Sequence, residues 1–188
     1  MKNTHHKILG LALLLTYFCL PQLYAQRLQV SAQLIVPPPY SPRVADLVDS
    51  PARTNSMLIL TNLGEPTNKP VKVIGEIKNR VTGARVFTKP SYQPSAPILL
   101  NPVGQPLQIM FAQENRGFLD ARNVDYVGIP NDILNQVKLS GIIPQGVYEF
   151  CVYVVPFDAV VENFNNIAGQ CISIPLTIIE PPRLAMPI

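Results

Sequence analysis

Histidine and tryptophan are the conspicuous shortages of this 188-residue chain: there is no tryptophan, and the only two histidines are His5 and His6, close to the start. Beyond that start, nothing can act as an imidazole base or ligand. This excludes Ser-His and Cys-His nucleophile pairs and zinc sites with imidazole ligands. No G-x-S-x-G, S-x-x-K, P-loop or G-x-G-x-x-G pattern occurs, nor any C-x-x-C. Charge is also thin, at 14% Asp, Glu, Lys and Arg. The basic residues are scattered singly, so a nucleic-acid backbone finds no patch to hold.

What is present begins with an export signal. Lys2 and Lys7 flank a polar start, Ile8 to Leu20 is nearly unbroken apolar sequence, Pro21 breaks it, and Ala25 follows. That order predicts a secretory signal peptide over residues 1–25, cut after Ala25. The apolar run is short of the roughly 20 residues that span a bilayer. The alternatives are a retained anchor, to which bulky Leu23 lends some support, and a lipoprotein cut at Cys19, against which Phe18 stands. Cleavage removes Lys2 and Lys7, leaving 13 of the 15 basic residues against 12 acidic ones, a net charge of about +1. The remaining 163 residues suit a single domain, expected over 26–179, with a proline-rich tail at 180–188.

Eight short runs then read as strands. In Arg27–Val36, Leu28, Val30, Ala32 and Leu34 alternate with Gln29, Ser31 and Gln33, the period of a strand buried on one face. Met57–Leu63 ends at Gly64-Glu65-Pro66; Val71–Ile77 places Val71, Val73 and Ile77 on one face, with Gly75 as a bulge candidate. Ala84–Thr88 pairs back as a hairpin, and Ile98–Leu100, Pro106–Ala112, Val147–Val155 and Cys171–Ile179 complete the set. Pro175 requires an edge or a bulge for the last of these. Val44–Val48 fits one helical turn or a short edge piece. Asn131 or Asp132 is the expected N-cap of one short helix, with Ile133, Leu134 and Val137 turned inward. Short strands punctuated by proline, glycine and asparagine predict an all-β antiparallel sandwich or barrel.

Several features invite sharper readings. Pro37–Tyr40 has the P-P-x-Y form of a WW-domain ligand, but a rigid polyproline connector with Tyr40 against the domain suits an exported chain better. The polar stretch from Glu114 to Val137 carries Glu114, Asp120, Asp125 and Asp132. Its spacing lacks the order and glycine of a calcium loop and selects no carboxylate pair for glycoside hydrolysis. The 114–132 loop is long and polar, as binding loops are, and is the only place where a binding surface is suggested. Tyr40, Tyr92 and Tyr126 fall outside the eight runs and supply the aromatics that a carbohydrate-binding module would need. No catalytic, cofactor-binding or metal-ligating residue is assigned.

Cys151 sits mid-strand in I-I-P-Q-G-V-Y-E-F-C-V-Y-V-V (142–155), and Cys171 follows an asparagine-rich loop. In an oxidising compartment the two predict a structural disulfide tying antiparallel neighbours across that loop. Neither has a cationic neighbour to lower its pKa for redox work. Pro144-Gln145-Gly146 turns the chain into this central strand, and Tyr148 is expected to pack near the turn.

Tyr40-Ser41-Pro42 after an opening strand, Leu60-Thr61-Asn62-Leu63, Ile143-Pro-Gln-Gly-Val-Tyr-Glu-Phe-Cys151 with a second cysteine about 20 residues on, and the closing Pro181-Pro182-Arg183-Leu184 together resemble the TANFOR domains of large exported Bacteroidetes proteins. The resemblance covers most of the chain in short motifs. It implies an immunoglobulin-like β-sandwich module of the surface or envelope and brings no catalytic residues. The functional expectation is a non-enzymatic envelope or secreted module that binds another protein or forms part of a surface assembly. It meets the membrane only through export, leaving the chain in the periplasm, on the outer surface or secreted. A carbohydrate-binding module or adhesin is the alternative. A hydrolase running on loop carboxylates is a third reading.

Overall fold

The computed structural model describes residues 28–47, 56–111, 117–165 and 167–176. The expected signal peptide with its cut after Ala25, Glu114 and the proline-rich tail lie outside these residues.

The fold is all-β and sandwich-like, with two antiparallel sheets around one apolar core. Strand β1 (Val30–Ile35), β2 (Met57–Asn62) and β6 (Pro106–Met110) form the smaller sheet in the order β1-β2-β6. The larger runs β7-β4-β3-β8-β9, built from β3 (Pro70–Asn79), β4 (Arg85–Thr88), β7 (Val124–Val127), β8 (Gly146–Pro156) and β9 (Ala168–Leu176). The two-residue β5 (Ile98–Leu99) shares the β4 edge of β3. There are thus nine strands among the described residues, one more than the eight legible runs. The addition is β7.

The stretch holding Cys151 is interior to the larger sheet, flanked by β3 and β9. Its even-numbered residues Tyr148, Phe150, Val152 and Val154 are buried in the core beside Ile77, Val86 and Ile174. Cys151 and Cys171 are opposed in the β8–β9 register and bonded, with Cα atoms 4.0 Å apart. Arg80 N–H donates to Val147 O, so the odd residues of β8 bond toward β3, and opposite β9 they form the closer, non-hydrogen-bonded pairs. The same parity frees Pro175, opposite Val147, from any ladder bond to β8. Edge placement accommodates it.

β3 departs from the one-faced strand its sequence suggests. Val71 through Ile77 are all buried, Lys72 and Glu76 included. Nor is Gly75 a bulge: the β3–β8 register passes through Gly75↔Val152 without a break. The glycine is needed for close approach. A Cβ there would lie 2.8 Å from the Phe118 ring and 3.0 Å from Cys151 O. Where the β3–β4 ladder ends, the Gly75 N–H donates to Thr88 Oγ1 at 2.9 Å, and that hydroxyl lies 2.8 Å from Phe118 O, which accepts from it.

Two local devices fix the turns. Asn62 is buried, and its side-chain nitrogen donates to Glu65 O (2.9 Å) and Asn101 O (2.8 Å). Its side-chain oxygen accepts from the Gly64 and Glu65 N–H groups. The Leu-Thr-Asn-Leu run is thereby tied to the 101–104 turn. At the start of β8, Tyr148 Oη donates to Pro144 O at 2.9 Å, a contact like the tyrosine corner of immunoglobulin-type sandwiches. In those domains the disulfide crosses between sheets, whereas here it stays within one. Tyr148→Phe is expected to lower stability by about 1 kcal/mol, the net contribution of one hydrogen bond. Chemical denaturation measures it, and an unchanged midpoint would show the bond to be dispensable.

The helix α1 (Asn131–Ser140) is capped by Pro130, one residue before the expected Asn131 or Asp132, with no side-chain cap. Pro130 has no N–H to satisfy, and its carbonyl accepts from Ile133 and Leu134. Gly141 closes the helix in the left-handed conformation (φ 69°), its N–H donating to Val137 O. Val137 is buried, while Ile133 and Leu134 are half-buried. Val44–Val48 contributes a 3-10 turn at Ala45–Leu47, and Tyr40 packs against the core as a connector residue.

Candidate functional site

From Gly117 on, the polar stretch is anchored to the sheet. Phe118 and Leu119 are buried, Asn123 Nδ2 donates to Gly117 O at 2.7 Å, and the Thr88 hydroxyl reaches Phe118 O. So anchored, the chain passes into β7 and then α1. Between these two elements lies a cleft of about 560 Å³. Every residue of β7 lines it, together with Phe87 and Lys89 from the β4 side and Leu134 and Lys138, one helical turn apart, from α1.

The register of the sheet explains the shape. Val86↔Tyr126 puts Tyr126 on the core-facing side and Phe87↔Asp125 puts Asp125 on the outer side. Both sides of β7 line one cleft because β7 is the edge of its sheet. Lys138 Nζ stands 5.8 Å from the Tyr126 ring centroid, and Lys89 Nζ donates to Arg122 O at 2.7 Å. Burial and the negative charge of Asp120 raise the Tyr126 phenol above its ordinary pKa, so it stays neutral at physiological pH.

Asp120, Asp125 and Asp132, the described carboxylates of this stretch, have different surroundings. Asp120 accepts from Arg122 Nε at 3.1 Å and from its backbone N–H at 2.9 Å, and these bonds hold its carboxyl below the usual range. Asp125 lines the cleft, and Asp132 is exposed in the first turn of α1. Among the described residues no cluster of three or more His, Cys, Asp or Glu could hold a metal ion. The loop aromatics are also redistributed. Tyr92 is buried, Tyr126 belongs to a strand under a lysine, and Tyr40 is half-buried.

Two polar groups on the outer face of the larger sheet are sealed by loops. Lys72 is 3% exposed, its ammonium donating to Tyr92 O (2.9 Å) and Gln93 Oε1 (3.0 Å). Burial pulls its pKa below the usual lysine range, with Asp158 opposing. Glu76 accepts from Tyr153 Oη at 2.9 Å and faces Arg85 at 3.6 Å. Burial, then the Glu76 bond, pushes the Tyr153 phenol far above its ordinary value. Phe164 closes over this group, 5.1 Å from the Tyr153 ring and 5.8 Å from Phe87. Both groups attach loops to the sheet.

Lys89, Lys138 and Phe87 went unassigned in the sequence. The available signals were the i, i+4 spacing of Leu134 and Lys138 and the alternation of Val124-Asp-Tyr-Val127. Comparison with protein-family models, curated proteins and solved structures finds no match. What the fold defines is an all-β, sandwich-like domain with one disulfide and a cleft along a sheet edge.

Proposed function

We propose that this chain is a non-catalytic exported module that binds another protein, in the envelope or outside the cell, and so forms part of a surface assembly. The observation that carries this reading is the β7–α1 cleft, whose wall holds Phe87 and Tyr126, of the aromatic type enriched at protein interfaces, beside aliphatic side chains, two lysines and Asp125. The Cys151–Cys171 bond supports residence in an oxidising compartment. Among the described residues no helix is long and apolar enough to cross a membrane. The resemblance to TANFOR modules of Bacteroidetes belongs to this proposal, since such modules serve in larger exported proteins.

Cross-linking of the tagged chain in envelope fractions, followed by mass spectrometry, tests it. One partner is expected to cross-link to residues of the cleft with the wild-type chain and to be lost with Leu134→Asp. Cross-links that avoid the cleft, or a chain recovered only as a free monomer, would overturn the reading.

A further inference from the structure

The β7 edge carries unused backbone hydrogen-bonding groups. The Lys89 N–H donates to Asn123 O at 2.8 Å, continuing the β4–β7 register one step beyond Thr88↔Val124. In an antiparallel ladder hydrogen-bonded and non-hydrogen-bonded pairs alternate. Phe87↔Asp125 and Arg85↔Val127 are therefore the bonded pairs. Val124 and Tyr126 point their N–H and C=O groups the other way, out of the sheet. No hydrogen bond from these four groups to any described residue exists.

These groups face a cleft whose second wall is a helix. That is the arrangement in which an extended peptide adds to a sheet as one more strand, its main chain bonding the edge and its alternate side chains entering the flanking pockets. Two other edges, β5 and the β1–β9 side, suit this less well. β5 has only two residues, and β1 lies against β9, with Gln170 Oε1 of β9 accepting from the Leu34 N–H of β1.

Charge selects the occupant. Arg122 is engaged by Asp120, which leaves Lys89 and Lys138 against the single carboxylate of Asp125. Both lysines line the cleft together with the apolar surface of Phe87, Tyr126 and Leu134, Lys138 over the Tyr126 ring and Lys89 beside Arg122. We infer that the β7 edge binds an extended segment of a partner protein as an added strand, one that carries apolar residues for the cleft wall and acidic residues for its lysines. This rests on the protein-binding reading above and specifies its mode.

The probe is an acetylated, amidated peptide of about ten residues, β-branched in the centre and glutamate-bearing at both ends, with a lysine-for-glutamate counterpart. In the free chain, amide exchange is expected to be faster at Val124 and Tyr126 than at Asp125 and Val127. The acidic peptide should slow exchange at Val124 and Tyr126 specifically. N-methylation of the peptide on the set of amides that faces β7 should weaken binding about tenfold or more, and on the opposite set should not. Lys138→Glu, at an exposed position, should weaken the acidic peptide about fivefold and favour the lysine counterpart. Fast exchange at both residues with saturating peptide, or equal effects of the two N-methylated sets, would overturn strand addition. If cross-linking nevertheless maps a partner to the cleft, the protein-binding reading stands without this mode. If it does not, both fall.

Discussion

Phe150→Ala is expected to lower the unfolding free energy by about 3–5 kcal/mol, the range for removing a buried phenylalanine and leaving a cavity. The ring is fully buried, in the middle of β8, and its strand neighbours in register are Ile77 on β3 and Ile172 on β9. Truncation leaves a void bounded by three strands, two of which are linked by a disulfide, so the walls have little freedom to close. For a domain of this size the melting temperature should fall by about 10 °C. Val147→Ala is the control on the same strand. Val147 is 42% exposed, and its truncation should stay within about 0.5 kcal/mol. Calorimetry of the two variants decides the matter. A loss below about 2 kcal/mol at Phe150 would mean that the sheet collapses onto the void and that the core is less rigid than its packing implies.

The legibility of these features in the sequence follows their locality. β8 could be read because it combines a Pro-Gln-Gly turn with nine consecutive residues rich in β-branched and aromatic types. β1 was legible because its alternation from Leu28 to Leu34 matches the observed burial. β3 misleads because Lys72 and Glu76 look like solvent-facing residues. Only the return of the 89–97 and 157–165 loops over the sheet covers them, and that is a long-range event. Gly75 carries the same ambiguity. A glycine in a strand serves either a bulge or a close approach, and the choice depends on Phe118, more than forty positions away. β7 is four residues with an aspartate inside, too brief for period two to stand out. The cleft inherits that difficulty. Its lysines come from β4's end and α1, and nothing local in the sequence relates Lys89 to Lys138.

Removing the disulfide is the second large effect. Cys151→Ala with Cys171→Ala should cost about 3 kcal/mol, because the bond closes a loop with a sequence separation of 20 and withdraws that freedom from the unfolded chain. The native ladder need not change, since the β8–β9 register extends from Gly146↔Leu176 to Val154↔Ala168 on both sides of the cysteines. The bond lies on the outer face, with Glu76 opposite Cys151 in β3 and Gly169 opposite Tyr153 in β8. Loosening there should therefore be felt first where Phe164 seats on Tyr153 and Phe87. Amide exchange in 157–165 should rise more than in the β3–β8 ladder, whereas Phe150→Ala should accelerate exchange across the sheet. Mass analysis under non-reducing conditions should first show both thiols oxidised in the wild-type chain. If the double variant loses less than about 1 kcal/mol, the ladder alone fixes the β8–β9 register and the bond serves only to resist local opening. If the thiols are free, the proposal that the module resides in an oxidising compartment falls with the bond.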